Sequence, residues 1–326
     1  MKKFGAIVVA GGPSVESISA DGPGATLLDL NDGKTPFACM NVLGRSVVAR
    51  LTDQWKGSGI SAMSVFVTQR VPSAGSLWRH AAERLSEYQR QGLNAVLLAQ
   101  VGAYAEIDVE DMCSVHEKSG KGVTRAFDGD GPLNLWVVDP KRFLERESLF
   151  DALYAERHAD YQVRGYVNRL GTLQDVRSLV TDGLSRRCHF QPQGHEVKPG
   201  IWMDASAQVE RSARVVAPAF IGRDARIADE CLITRGTNIE SDSIVDFGTA
   251  VEDSSVLSGS YVGIGLDLSH SIVDGNTLFN FCHNVTLRIS DPFVMRRNDG
   301  RNANGQLSSD FETGEMILSS TEELAQ

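Results

Sequence analysis

The chain has 326 residues, and its 32 Lys and Arg against 42 Asp and Glu give a formal net charge of −10 at pH 7. A chain of this length fits about two domains of ~100 to 200 residues each. Its 42% hydrophobic and 23% charged residues are typical of soluble globular proteins, which argues against wholesale disorder and against a coiled coil. The negative balance provides no general attraction for phosphate backbones, so we expect no nucleic-acid partner.

Cysteine usage and hydropathy indicate the compartment. The five cysteines are widely spread, with no Cys-x-x-Cys pair, so we expect neither a disulfide framework nor a structural zinc site. No stretch approaches the ~18 to 20 apolar residues of a membrane helix. The apolar run near the amino terminus breaks at Gly11, which is too early for the ~7 to 15 residues of a secretory signal. We therefore expect a cytoplasmic protein without a membrane span.

Residues 1–190 show strand and helix patterns in alternation. Short apolar runs predict strands at Ala6–Ala10, Met63–Thr68, Ala95–Val101 and Leu133–Val138. Amphipathic patterns predict helices at Val47–Trp55, Leu77–Gln91 and Val109–Ser119. This alternation is typical of an α/β domain of Rossmann-like type, with a mostly parallel sheet and with ligands beyond the carboxyl ends of its strands.

The second half contains a six-residue repeat. Stepping by six gives an unbroken aliphatic series: Val209, Val215, Ile221, Ile227, Ile233, Ile239, Val245, Val251 and Leu257. A small residue follows four positions later each time, from Ala213 to Ser255, until Tyr261. Neither helices nor simple strands have a period of six, whereas in a parallel β-helix each hexad forms one side of a triangular coil.

The repeat predicts a parallel β-helix over residues 191–286, with three hexads per coil and about three complete coils. We expect it to serve as a stacking or oligomerisation surface. Because some hexapeptide-repeat proteins carry a catalytic histidine on a coil, His270 and His283 leave acyl transfer open as an alternative. The polar, acidic segment 287–326 predicts a loose tail.

An α/β domain that opens with Ala10-Gly11-Gly12 and precedes hexapeptide coils resembles the sugar-1-phosphate nucleotidyltransferases, the NDP-sugar pyrophosphorylases. Further segments carry the resemblance: Leu43-Gly44-Arg45-Ser46, Leu97 to Ala103, Ile107 to Thr124, and Gly165 to Thr172 with Asp175. The resemblance implies a nucleotidyltransferase domain followed by a left-handed β-helix. It also implies these candidate nucleotide-binding residues: Ala10, Gly11, Gly12, Ser14, Lys34, Gly102 and Arg169.

The sequence departs from that family where the chemistry is done. The family holds Mg²⁺ with two carboxylates, and Ala103 and Arg169 stand at those positions. The glycine-rich loop also lacks its arginine, and Lys34 lies three residues before the usual phosphate-binding lysine. Asp108, Glu110 and Asp111 could replace a metal ligand, but they more simply cap the helix that follows.

Nucleotidyl transfer needs positive charge against the phosphates. We therefore expect a catalytically degenerate protein with a regulatory, ligand-sensing or scaffold role, which binds a nucleotide sugar or a sugar phosphate or nothing. It would form homo-oligomers through the β-helix, or hetero-oligomers with an active homologue. The alternative is an active enzyme that uses Mg²⁺ and unconventional residues, and acyl transfer is a third hypothesis.

Overall fold

The computed structural model describes residues 4–10, 36–56, 58–67, 74–143, 148–298 and 316–319. It has a mixed α/β part followed by a long stack of short strands, and most of the pairs between neighbouring strands are parallel. Within these residues, no helix combines the length and the apolar character that crossing a bilayer requires.

A seven-stranded sheet forms the centre of the α/β part. Its strands are β1 (Phe4–Ala10), β4 (Ile60–Val67), β5 (Ala95–Gln100), β7 (Val123–Asp128), β8 (Gly131–Val138), β9 (His158–Gln162) and β28 (Met316–Ser319). Their order across the sheet is β28-β4-β1-β5-β8-β7-β9. Residues of the central strands β1 and β5 are buried on both faces, which explains their continuous apolar runs. Two short antiparallel pairs accompany the sheet: β2 (Asn41–Val42) with β3 (Arg45–Ser46), and β6 (Tyr104–Ala105) with β10 (Val167–Asn168).

Helices cover both faces of this sheet. The described helices are α1 (Val47–Lys56), α2 (Ala74–Arg90), α3 (Val109–Ser119), α4 (Leu149–Ala155) and α5 (Leu173–Leu184). One buried apolar cluster joins α2 and α4 to the sheet, and a second joins α1, α3 and α5 to the opposite face. The helices predicted at 47–55, 77–91 and 109–119 are confirmed.

The first sheet is mixed, whereas the alternating pattern predicts mostly parallel strands. β1 is parallel to β4 and β5, but β8 is antiparallel to both β5 and β7. The difference arises because β7 and β8 form a hairpin, closed by the turn after Asp128, and no helix lies between them to return the chain in the parallel direction.

The second half consists of strands that pair in parallel with the third strand along the chain. They form three sheets. The first contains β12 (Ile201–Met203), β15 (Ala219–Ile221), β18 (Thr237–Ile239), β21 (Ser255–Val256) and β24 (Ser271–Asp274). The second contains β13 (Gln208–Val209), β16 (Arg226–Ile227), β19 (Ile244–Val245) and β22 (Ser260–Val262), and the third contains β14 (Arg214–Val215), β17 (Leu232–Thr234), β20 (Ala250–Glu252) and β23 (Asp267–Ser269). Strands around residues 201 and 261–274, on either side of the unbroken hexad series, are also regular members of this coil.

The aliphatic members of the hexads from Val209 to Val251 point into the coil, and hydroxyl residues at the small position bond to the next turn. Thr237 Oγ1, Ser243 Oγ and Thr249 Oγ1 each donate to a carbonyl fourteen residues on, at 3.2, 2.9 and 2.5 Å. This contact explains why hydroxyl residues can stand where an apolar core would otherwise exclude them.

The aliphatic series shifts by one residue after Val251 and continues at Val256, one position before the hexad count predicts. Ile239 pairs with Val256, so the ladder shortens from eighteen to seventeen residues per turn. Val256 therefore fills the coil interior, and Leu257 belongs to the apolar cluster shared with the α/β part. The placement of Leu257 inside the coil is wrong.

Antiparallel β25 (Thr277–Asn280) and β26 (Val285–Arg288) extend the first coil sheet, and β26 reaches into the expected loose tail. Within that tail, β27 (Met295–Arg297) pairs with β22. β28 returns to the α/β sheet beside β4. At the opposite end of the coil, β11 (His195–Lys198) pairs antiparallel with β12.

Among the described residues, the α/β part and the coil share an apolar cluster, and the buried side chains of Glu240 and Arg177 form hydrogen bonds across their boundary. Glu240 of the coil is fully buried, and it accepts hydrogen bonds from the backbone N–H of Leu43 at 2.6 Å and of Gly44 at 3.0 Å. Arg177 of α5 is 4% exposed and donates to Asn238 and Ser255 of the coil at 3.1 and 2.8 Å. These contacts hold helices α1 and α5 next to the cavity at the carboxyl end of β5.

Candidate functional site

A cavity of about 460 Å³ lies beyond the carboxyl end of β5. Its walls come from the segment after β5, the β7–β8 hairpin, the segment after β10, and helix α1. The lining residues are Leu51, Trp55, Ala99, Gln100, Val101, Gly102, Ala103, Ala105, Asp130, Pro132, Leu133, Asn134, Leu135, Arg169, Gly171 and Thr172. The cavity stands where an α/β sheet is expected to bind ligands.

The β6–β10 pair brings two predicted segments together. Tyr104 pairs with Asn168, and Ala105 pairs with Val167, so Gly102 and Arg169 reach the same cavity. Beyond β10, Thr172 caps helix α5 and its capping box with Asp175 is complete. The segment resembling the family's second metal-binding motif is thus a rigid turn at the cavity wall.

Arg169 forms an ion pair in this wall. Its guanidinium donates to Asp128 through Nε at 3.1 Å and through the terminal nitrogen at 2.5 Å. Burial alone would raise the pKa of Asp128, but the hydrogen bonds from Arg169 and from the backbone N–H of Asp130 outweigh it and leave that pKa lowered. The pair neutralises the one basic side chain among the described residues that line the cavity.

The remaining predicted site residues lie in different places. Ala10 is buried at the end of β1 and is absent from the cavity wall, whereas Ala103 lines it. Four candidates lie outside the described residues: Gly11, Gly12, Ser14 and Lys34. The capping role of Asp108 is confirmed, because its side chain accepts from the N–H of Asp111 at the start of α3.

The donors in this cavity do not fit a metal site with two carboxylates. Asp130 is the carboxylate among the lining residues, and Asp128 is already bound to Arg169. Across the described ranges, no group of three His, Cys, Asp or Glu side chains could hold a metal ion. Mg²⁺ usually takes one or two carboxylates with water and substrate phosphates, and among the lining residues Asp130 alone would be left to supply a carboxylate.

A second crevice, of about 430 Å³, lies between α5 and the coil and contains His270. Its Nε2 is 3.7 Å from an Asp253 oxygen, and Asp253 also accepts from the buried Arg177 at 2.8 Å. His283 is exposed and does not line this crevice. The two histidines proposed for acyl transfer are therefore not brought together here.

Three residues were not predicted from the sequence as site residues: Trp55 and Gln100, which line the cavity, and Asp128, which binds Arg169. Asp128 begins two consecutive Asp-Gly pairs, Asp128-Gly129 and Asp130-Gly131, which are a hairpin signal that could have revealed its position. Trp55 reads as an ordinary apolar position of α1. Gln100 is a polar residue within the apolar run of a buried strand, and that exception was the available signal.

A scan of protein-family models and a search of curated proteins return no match to this chain. The site itself offers mainly apolar and neutral polar walls with one neutralised ion pair. Such walls can hold a largely uncharged group, and they provide little stabilisation for charge that develops during a reaction.

Proposed function

We propose that this protein binds a nucleotide sugar or a sugar phosphate in the 460 Å³ cavity without transferring a nucleotidyl group. It would be a catalytically degenerate relative of the sugar-1-phosphate nucleotidyltransferases, with a regulatory, ligand-sensing or scaffold role. Its α/β part would be Rossmann-like, and its coil would be a left-handed parallel β-helix.

The ion pair between Arg169 and Asp128 carries this proposal. It lies in the same wall as Gly102 and Ala103, where the resemblance implies metal carboxylates. A guanidinium can bind phosphate oxygens bidentately. Held by Asp128, however, it cannot supply the net positive charge that a pyrophosphate leaving group requires. Binding is therefore favoured over catalysis.

The coil supports a scaffold role. Its corner residues Phe247 and Ile264 are 45% and 64% exposed, and neither belongs to the apolar cluster that the coil shares with the α/β part. We propose that the coil joins copies of this chain, or joins it to an active homologue. Sedimentation of the purified chain tests the first arrangement, and co-purification with an active nucleotidyltransferase tests the second.

Thermal-shift titration tests ligand binding, because a ligand that binds only the folded state raises the melting temperature. Nucleotide sugars and sugar 1-phosphates should raise it. Arg169→Gln should weaken this binding by roughly tenfold, the value of one charge-assisted hydrogen bond. Arg164→Gln is the matched control, since Arg164 is exposed nearby and does not line the cavity.

A turnover assay tests the second half of the proposal. The chain is incubated with Mg²⁺, nucleoside triphosphates and sugar 1-phosphates, and pyrophosphate is measured. We expect none above the control. Turnover that disappears in Lys34→Ala would establish an active enzyme instead. Acyl-CoA hydrolysis that depends on His270 or His283 would favour acyl transfer.

A further inference from the structure

Two buried polar atoms at the cavity have no hydrogen-bond partner among the described residues. They are Oε1 of Gln100 and Nε1 of Trp55, and both residues line the cavity. Gln100 is 5% exposed and Trp55 is 1% exposed. Buried polar groups are nearly always paired, and an unpaired one destabilises the folded state. One unpaired acceptor and one unpaired donor on residues that line the same cavity therefore point to a missing partner.

The charges around these atoms limit what that partner can be. Arg169 is neutralised by Asp128, and Asp130 adds a negative charge to the wall. Leu51 and Leu133 provide apolar surface beside the polar atoms. A phosphate would meet no uncompensated positive charge among these residues, whereas a neutral polar group that pairs with the unpaired atoms would regain the hydrogen bonds it loses on leaving water.

We propose that Gln100 and Trp55 bind a ligand amide, a group with an N–H beside a C=O. The inference rests on the proposed function, because it names the part of the ligand that this wall holds. The ligand N–H donates to Gln100 Oε1, and Trp55 Nε1 donates to the ligand carbonyl. The terminal torsion of glutamine is broad, so the Gln100 amide can turn its oxygen toward the cavity.

Two parts of a nucleotide sugar have this chemistry: the acetamido group of an amino sugar, and the uracil or thymine ring. Paired probes separate them. N-acetylglucosamine 1-phosphate is compared with glucose 1-phosphate, which lacks the amide. Uridine 5′-diphosphate is compared with its 3-methyl derivative, which lacks the ring N–H. All four are titrated by calorimetry into the full chain.

We expect one of these pairs to differ by about tenfold or more, because a wall that pairs with an N–H and a C=O discriminates against a ligand without them. The pair that differs identifies the source of the amide. If the probes bind and both pairs agree within about twofold, the inference is refuted and the proposed function stands. If no probe binds, the inference is refuted, and the thermal-shift titration with complete nucleotide sugars decides the proposed function separately.

Gln100→Leu separates a ligand contact from a structural role. The variant should lose the discrimination between the paired probes, and its ligand-free melting temperature should equal or exceed that of the wild type, because an unpaired buried acceptor has been removed. Gln100→Met replaces it if the leucine variant fails to fold. A lower melting temperature with unchanged discrimination would overturn the inference.

Gln54→Leu is the matched control. Gln54 precedes Trp55 in α1, and its Oε1 is also buried without a partner among the described residues, yet Gln54 does not line the cavity. The control variant should keep the discrimination of the wild type. Equal loss of discrimination in the Gln54 and Gln100 variants would show that the effect is not a cavity contact, and would contradict the inference.

Discussion

Glu240 holds the turn at Leu43 and Gly44 against the coil, and Glu240→Ala is expected to loosen that contact. The carboxylate is fully buried and accepts from both backbone N–H groups and from Asn238 Nδ2 at 2.7 Å. Removing it leaves three donors without their acceptor. Each unpaired buried donor costs about 1 to 3 kcal/mol.

Two effects reduce the total. The folded protein no longer desolvates a carboxylate, which recovers several kcal/mol, and the space vacated at residue 240 can admit a water. We expect a net loss of about 2 to 4 kcal/mol in the free energy of unfolding. Urea denaturation at pH 7 measures it. Glu210→Ala is the control, since Glu210 is exposed on the same coil and should change stability by about 0.5 kcal/mol or less.

The pH dependence of stability shows whether the charge on Glu240 stabilises or destabilises the folded protein. Burial raises the pKa of Glu240, and the hydrogen bonds from Gly44, Asn238 and Leu43 oppose this only in part. A raised folded-state pKa means that the folded protein holds the proton more tightly than the unfolded chain. The wild type should therefore lose stability relative to Glu240→Gln as pH rises from about 4 toward neutrality.

Two results would refute this reasoning. If Glu240→Ala costs no more than Glu210→Ala, the contact does not hold the two parts together. If the wild type gains stability over Glu240→Gln as pH rises, the buried carboxylate is favoured in its charged form, and desolvation does not dominate.

Three further predictions concern the same framework. Arg177→Met should lower the free energy of unfolding by about 2 to 3 kcal/mol in urea titrations, because buried hydrogen bonds between α5 and the coil are lost. An unchanged urea midpoint would contradict this prediction. Gly44→Ala should lower the free energy of unfolding by about 1 to 3 kcal/mol in thermal unfolding, because Gly44 has a φ of +82° and an added Cβ would meet Phe220 at 2.9 Å. An unchanged stability would show that the turn relaxes to accept the methyl group. Burial lowers the pKa of His116, whose Nδ1 lies 2.9 Å from Thr124 Oγ1. The wild type should therefore lose stability relative to His116→Gln as pH falls from 7 to about 5. Parallel stability profiles of the two proteins against pH would contradict this prediction.

The regular elements could be predicted because their signals are local. The hexads stepping from Val209 to Val251 identify a coil, since each aliphatic residue meets the same environment in every turn. The hairpin of β7 and β8 was not predicted, because strand direction depends on the segment that connects two strands. The turn residues between them, Asp128 to Gly131, were not used in the prediction. β28 could not be predicted from its short segment, because its described partner is β4, about 250 residues earlier in the chain.

The site was predictable only in part, for a related reason. Gly102 and Arg169 could be placed at one cavity from their resemblance to known motifs. The partner of Arg169 could not, because Asp128 reaches it from a hairpin forty-one residues away. Glu240 occupies an ordinary position between two hexads, and only the folded arrangement shows that it binds the turn at Gly44.

Phosphorus NMR of the full chain, mixed with a nucleoside triphosphate, a sugar 1-phosphate and Mg²⁺, tests binding and catalysis together. The proposal predicts that phosphate signals of the ligand shift or broaden in proportion to the protein, and that no pyrophosphate signal grows with time. Growth of pyrophosphate would contradict the loss of catalysis, and phosphate signals unaffected by the protein would contradict the binding site itself.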